Sequence, residues 1–429
     1  MVRDDIPLQG GVDDNAFSHH YLEQAEELWA AAVGADHCRF LVGGSSQGNI
    51  AALSTVTHPG QPVAVDRTSH RSTHAALVIT GARPVWVYPD LDPEFRLPIG
   101  IPAGDLERLT EPVTALFVTS PSYVGSLCDV PSLAAAAHVR GIPLVVDQAW
   151  GAHLGFLPGR GAIALGADVS VTSVHKALMG YSQTAVISMR HGLVDPRHLN
   201  RCVDLVATTS PSGTLMSSID ATRAVMERDG AAALDRTIEL VLTMRRGLAA
   251  VPGLVILDDE NVPNGVDPFK VTLWLPRTGV SGIDLNARLW DLGHGPETAD
   301  RDTLVLTITL LDEPEFVSHV TDVIIGLIEE LRGDPRPGIS AAVWALEPEV
   351  VVTPREAFFA SRRRIDLADA VGEVSAEQFC PYPPGVPLIA PGERVTQAAV
   401  DALAVAARVG RVAYNSDPTM RTIEIVDEL

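Results

Sequence analysis

Between about residues 20 and 190, short apolar, β-branched runs alternate with Ala/Leu-rich stretches, which restricts this part of the chain to strand–helix–strand units and a mainly parallel sheet. The runs that read as strands are Phe40 to Val42, Pro62 to Val65, Pro84 to Tyr88, Ala115 to Thr119, Leu144 to Asp147, Val169 to Thr172 and Ala185 to Ser188. Helical stretches lie between them, among them Gln47 to Thr57, His70 to Thr80 and Leu133 to Arg140. With 429 residues the chain exceeds what one core of roughly 250–300 residues can hold, so two domains are expected. A long helix is predicted over 218–252, and the shorter, proline-interrupted elements after it read as a second, α+β unit. The boundary is placed at Pro252-Gly253, giving an N-terminal arm (1–20), a large domain (21–252) and a small C-terminal domain (253–429). Asp334-Pro335-Arg336-Pro337-Gly338 reads as a linker, and Pro381-Tyr382-Pro383-Pro384-Gly385 as a rigid loop with few backbone N–H groups to pair.

Charge and cysteine usage narrow the partners. A formal charge of −22 repels phosphate, which argues against nucleic acid and anionic membrane and favours a cationic ligand. No apolar run approaches the roughly 20 residues of a membrane span. Met1-Val-Arg-Asp-Asp lacks the apolar core of a secretory signal, and the four cysteines are scattered, so a reducing cytoplasm is expected. The basic residues are more informative. Of 32, all but Lys176 and Lys270 are arginine, and chemistry that needs a primary amine cannot use a guanidinium.

Ligands of open α/β sheets bind beyond the carboxyl ends of the strands, so polar residues just after each apolar run are the candidates. Gly43-Gly44-Ser45-Ser46-Gln47 opens a helix with small residues, as a phosphate cup would. It equally suits an ordinary Gly/Ser turn. Asp147 ends a run of four apolar residues, either as a cap for the next turn or as a counter-charge for a protonated pyridine nitrogen. Lys176 follows the strand 169–172 among Ser173 and His175, where an ammonium is costly unless paired or converted to an imine. Lys270 lies in an alternating strand pattern and is expected to face solvent, which leaves Lys176 as the reactive amine. His70 and His74 share a helical face, but no Glu or Cys of suitable spacing joins them. No metal is expected there, and the reading is a structural histidine or one stacked on a cofactor ring.

With these residues assembled, the chain resembles the Orn/Lys/Arg decarboxylase family, the group III pyridoxal-phosphate decarboxylases of fold type I. The likeness runs over about 37–225 and returns at about 350–395. Ser173-Val174-His175-Lys176 matches the family's Ser-x-His-Lys, which implies that Lys176 forms the Schiff base with pyridoxal 5'-phosphate while Ser173 and His175 contact its phosphate. Asp147-Gln148-Ala149 matches Asp-x-Ala, implying pairing of Asp147 with the pyridine nitrogen and Ala149 beneath the ring. Asp66-Arg67-x-x-His70-x-Ser72 is similar to the segment whose histidine stacks on the ring, and Ser45, Ser46 and Gln47 fall where the family binds phosphate. Thr208-Thr209-Ser210-Pro211-Ser212 is similar to a segment that reaches a neighbouring subunit's phosphate, implying a homodimer or higher homo-oligomer in which Ser210 and Ser212 complete the partner's site. Thr353-Pro354-Arg355-Glu356-Ala357-Phe358 and Tyr382-Pro383-Pro384-Gly385-Val386-Pro387 match C-terminal signatures.

The implied fold is α/β: an aspartate-aminotransferase-like large domain with a smaller α+β domain behind it, in a short form without the family's N-terminal wing domain. The implied reaction is decarboxylation of an amino acid, with lysine, ornithine or arginine expected from the family and mildly from the charge. The product amine then belongs to polyamine metabolism. Departures fall near the substrate: Gly213 stands where an aromatic is usual, and Trp150 where shorter members often carry histidine. Trp150 and Glu377 are the candidates for reading the substrate side chain, and His70 or Lys176 for returning a proton to Cα. Aminotransfer, oxidative deamination and Cβ chemistry use the same residues, since fold does not choose which bond breaks. A catalytically silent subunit is the remaining alternative, against which the intact Lys176 and Asp147 speak.

Overall fold

A computed structural model describes residues 21–338, 346–382, 385–408 and 412–428. The expected N-terminal arm and Pro383-Pro384 of the proline-rich loop lie outside the described residues. By its internal contacts the chain forms two units. The first comprises the described residues up to Val87, with Ile101–Pro121 and Cys128–Asp235; the second comprises Tyr88–Gly100, Ser122–Leu127 and Arg236 onward.

In the first unit the elements follow in the order α1 (Tyr21–Val33), β1 (His37–Leu41), α2 (Gly44–Val56), β2 (Pro62–Asp66), α3 (Arg71–Thr80), β3 (Arg83–Val87), α4 (Ala103–Arg108), β4 (Leu116–Thr119) and α5 (Val130–Val139). They continue with β5 (Leu144–Asp147), β6 (Val169–Ser173), α6 (Val174–Ala177), β7 (Ala185–Met189) and α7 (Pro196–Val206). Seven strands form one sheet in the order β1-β7-β6-β5-β4-β2-β3, and β7 runs antiparallel to both of its neighbours. The strands read as unbroken apolar runs because both faces are covered. Val63, Val65, Phe117, Val145 and Val171 enter one core with Leu53, Leu77, Leu199 and Val203 from α2, α3 and α7. Their neighbours Ala64, Leu116, Val118, Leu144 and Val146 enter the opposite core with Leu106, Leu133 and Ala137 from α4 and α5.

Helix α8 (Gly213–Ala249) carries the chain past the division at Asp235–Arg236. The second unit adds β8 (Val255–Ile256), β9 (Lys270–Trp274), α9 (Gly282–Asp291), β10 (Thr298–Ala299), β11 (Thr303–Thr307) and α10 (Pro314–Leu331). After these come α11 (Pro354–Phe359), β12 (Ser361–Asp366), β13 (Cys380–Tyr382), α12 (Gln397–Arg408), β14 (Val412–Tyr414) and β15 (Thr422–Glu428). Strands β10-β11-β9-β8 make a four-stranded sheet, and β12–β15 and β13–β14 are two-stranded pairs. The sheet is packed by Leu240, Met244 and Leu248 of α8, Leu285 and Leu289 of α9, and Ile324 and Ile328 of α10. The expected linker at 334–338 has no regular structure, yet Arg336 pins it by donating to the carbonyls of Val280 (2.8 Å) and Arg301 (2.7 Å) and to the Asp302 carboxylate.

Lys270 departs from expectation. It is 2% exposed, not solvent-facing, and its Nζ donates to Thr307 Oγ1 at 2.9 Å. The reason is position: β9 is an interior strand of the four-stranded sheet, and all five of its residues are buried. An alternating pattern cannot reveal that both faces are covered.

One glycine sets how closely α2 approaches the sheet. A Cβ at Gly48 would lie 2.5 Å from Val171 Cγ1 and 3.0 Å from Leu41 Cδ1. Gly48→Ala is therefore expected to push α2 off β6 and destabilise the protein by about 1–3 kcal/mol, the usual cost of overpacking, read as a lower denaturation midpoint in urea.

Candidate active site

Parallel pairing brings Thr119, Asp147 and Val171 into register across β4, β5 and β6. Asp147 thus ends its strand level with its neighbours, two residues short of Ser173 and five short of Lys176. The turn after β5 is locked by Ala149 N donating to Asp147 Oδ1 (3.0 Å) and by Gln148 N donating to the Val171 carbonyl (2.8 Å). Asp147 is 2% exposed, and its other oxygen accepts from Asn49 Nδ2 at 2.7 Å. Burial pushes its pKa up, while the Lys176 ammonium, Asn49 and the Ala149 N–H oppose that rise. Asp66, at the end of β2, is pushed up to about 6 by burial despite hydrogen bonds from Thr68 and Thr119.

Lys176 lies in α6, directly after β6. Its Nζ stands 3.9 Å from the centroid of the Trp150 ring, a cation–π geometry. His175 Nδ1 lies 2.8 Å from the Thr184 carbonyl; a carbonyl only accepts, so this nitrogen carries hydrogen and Nε2 is left for a ligand. Burial and Lys176 lower the His175 pKa. Ser173 is fully buried and its hydroxyl has no hydrogen-bond partner among the described residues. The loop after Lys176 is tied to the start of α2: Gln183, at φ 76°, turns its carbonyl to accept from Gly44 N at 2.8 Å.

Ser45 and Ser46 open α2, whose N-terminus has no side-chain cap. Gln47 turns back on its own loop, its Oε1 accepting from Gly43 N at 2.9 Å. His70 caps α3 and its Nδ1 accepts from Ser72 N (3.3 Å) and lies 2.8 Å from Ser72 Oγ. Burial first, then Lys176 and Arg71, lower its pKa to about 4, so it is neutral at physiological pH. His74 is turned elsewhere, packing on Trp86 with ring centroids 5.2 Å apart. Thr208, Thr209 and Ser210 are exposed, Thr208 Oγ1 lying 3.3 Å from Ser210 Oγ, and Ser212 is half-buried.

Glu377 belongs to the second unit. Its carboxylate accepts from Ser416 N (2.6 Å), Ser416 Oγ (2.9 Å) and Glu424 N (2.7 Å), holding the start of β15 to the preceding turn. Sequence reasoning assigned no role to Asn49 and named Ser72 only as part of the His70 segment; the two residues join Asp147 to His70. The signal for Asn49 was a buried amide inside a helix, a place where asparagine is otherwise unfavourable.

The residues fit pyridoxal phosphate. The orphaned Ser173 hydroxyl and the uncapped start of α2 are donors suited to phosphate, Lys176 supplies a primary amine, and Asp147 a buried carboxylate. The seven-stranded sheet and its flanking helices give the chain the fold of the fold type I pyridoxal-phosphate enzymes. Lysine decarboxylase A from Pseudomonas aeruginosa shares that fold, superposing with a TM-score of 0.82 at 20% identity over 99% of this chain and 74% of the other. The family is narrower still. The model of the Orn/Lys/Arg decarboxylase major domain matches residues 9–273 and that of the Orn/Lys/Arg decarboxylase C-terminal domain matches 339–412. The arginine decarboxylase of Halalkalibacterium halodurans is 30% identical over 98% of this chain and 88% of its own length, and that of Bacillus subtilis is 30% identical over 90% and 81%. This chain belongs to the Orn/Lys/Arg decarboxylase family.

The lowered pKa of His70 carries a stability signature. A histidine ordinarily titrates near 6.5 and this one near 4, so below pH 6.5 the unfolded chain takes up the proton first. Its contribution is therefore present above that pH and is lost as pH falls toward 4. Asp66, raised to about 6, acts in the opposite sense over the same range, being lost as pH rises. The cofactor-free His70→Phe variant is expected to lose less unfolding free energy than wild type between pH 7 and 4, measured by urea denaturation at each pH.

Proposed function

We propose that the chain uses pyridoxal phosphate to remove CO2 from a basic amino acid, with arginine the first substrate to test and lysine and ornithine next. The observation that carries this reading is the placement of the Asp147 carboxylate at the end of β5 and of the Lys176 amine just beyond the end of the adjacent β6. The names of the curated relatives support a basic side chain, and the net charge of −22 favours a cationic substrate over an anionic one.

Pyridoxal phosphate held on a lysine amine supplies an electron sink for the pair that CO2 leaves on Cα. In this reading Lys176 would hold the cofactor through its amine. Asp147 keeps a proton on the pyridine nitrogen, an ion pair that also relieves its own burial. Ser45, Ser46, Gln47, Ser173 and His175 hold the phosphate, with His175 offering Nε2 because Nδ1 is spent on Thr184. Ala149 and His70 would pack against the cofactor ring. As a neutral ring His70 is a poor proton donor, which favours Lys176 for returning the proton to Cα. Trp150, already against the Lys176 amine, borders the substrate. Glu377 serves the fold of its own unit. The exposed Thr208, Thr209 and Ser210 and the half-buried Ser212 support a homodimer in which Ser210 and Ser212 complete a neighbour's phosphate site. No described helix is long and apolar enough to cross a membrane, and we place the enzyme in the cytoplasm.

The test is product analysis. The holoenzyme is expected to release one CO2 per amine formed from arginine, lysine or ornithine without keto acid, and no turnover with any of the three would overturn the reading. Lys176→Ala should lose the visible absorbance of bound cofactor. Asp147→Asn should lower kcat about 100-fold or more, the scale of one lost electrostatic contact at a reacting centre. Sedimentation should find the active form at least dimeric.

A further inference from the structure

Asn49 is fully buried on α2, one helical turn beyond Ser45, and its amide nitrogen makes two hydrogen bonds. Nδ2 stands 2.7 Å from Asp147 Oδ2 and 2.9 Å from Ser72 Oγ, so each of its two hydrogens has an acceptor. The flipped amide would set Oδ1 against the Asp147 carboxylate, which fixes the assignment. Because Ser72 Oγ accepts from Asn49, its own single proton is left for His70 Nδ1, 2.8 Å away. The Ser72 backbone N–H donates to the same nitrogen at 3.3 Å. Nδ1 is then an acceptor twice over, and a neutral His70 carries its hydrogen on Nε2.

We propose that Asn49 is a positioning residue that couples the two groups facing the cofactor ring, holding Asp147 as a carboxylate with one hydrogen and, through Ser72, holding His70 as its Nε2–H tautomer with the other. The proposal rests on the pyridoxal-phosphate reading of the site. It goes beyond that reading in naming a residue that touches neither substrate nor cofactor yet sets the charge of one ring contact and the tautomer of the other. A buried apolar side chain would suit the interior of α2 better; an amide there lowers helix propensity and leaves Oδ1 without a hydrogen-bond partner among the described residues. The other charged groups around the relay are Lys176, which acts on both Asp147 and His70, Asp66 beside Asp147, and Arg71 and His74 beside His70. Asn49 is the side chain among these contacts that bonds toward both ring groups at once.

The experiment uses the full chain with two variants and two readouts. In cofactor-free protein labelled with 15N-histidine, wild-type His70 is expected as the Nε2–H tautomer, and Asn49→Ala, which frees Ser72 to rotate, as a mixture of tautomers. In titrations with pyridoxal phosphate, the isosteric Asn49→Asp keeps the packing but sets a second carboxylate against Asp147. Its affinity should fall roughly 10- to 100-fold at about pH 8, the value of one hydrogen bond to a charged group, and recover toward pH 6 as the pair takes up a proton. Wild-type affinity and pH dependence in Asn49→Asp would overturn the Asp147 arm. An unchanged Nε2–H tautomer in Asn49→Ala would overturn the Ser72 arm. Should wild type itself bind no cofactor, the functional reading fails, while the tautomer measurement still decides the relay.

Discussion

A carboxylate shut away from water costs several kcal/mol unless opposite charge and hydrogen bonds replace its solvent. Asp147 is such a group, and the head of the large sheet is arranged around it. Its compensation comes from three directions: the Ala149 N–H from its own turn, the Asn49 amide from α2, and the Lys176 ammonium from the turn after β6. Each requires a separate element to be in place. The amide reaches Asp147 only because Gly48 lets α2 approach Val171 and Leu41. The ammonium reaches it only because β5 and β6 pair in the register that sets Asp147 beside Val171.

The strands themselves were legible in the sequence, because parallel strands buried on both faces leave continuous apolar runs; their register was not. All seven runs from Phe40 to Ser188 became strands, and Asp147 and the residues after β6 lie at one end of the sheet, whereas Ser188, closing the antiparallel β7, lies at the other. Direction was not legible. Nothing in Ala185–Met189 distinguishes an antiparallel strand from a parallel one, since its burial is the same. Lys270 was misplaced for a related reason, because alternation tells which residues share a face and not what covers it. The link through Asn49 and Ser72 stayed hidden for another reason. Their significance lies in two hydrogen bonds spanning 23 and 98 positions, which no local pattern encodes.

Linear reading also cannot see excursions. Tyr88–Gly100 and Ser122–Leu127 leave the first unit after β3 and after β4 and join the second, whose own helix α8 begins in the first. Strand ends thus do two jobs. Some, such as Asp147 and Ser173, carry the candidate chemistry, and others lead into segments that build the second unit, where Ser126 O accepts from Ser122 N and Leu127 N donates to Gly265 O. Neither unit can be excised as one contiguous stretch.

The burial of Lys270 has a chemical corollary. A chain whose surface is basic through arginine, and whose second lysine is sealed inside a sheet at 2% exposure, offers an electrophile a single reachable lysine side chain. Aldehydes and acylating reagents ordinarily scatter over many surface lysines. On this protein their attachment to lysine should converge on Lys176 in α6, leaving the α-amino group as the other amine that such reagents can reach.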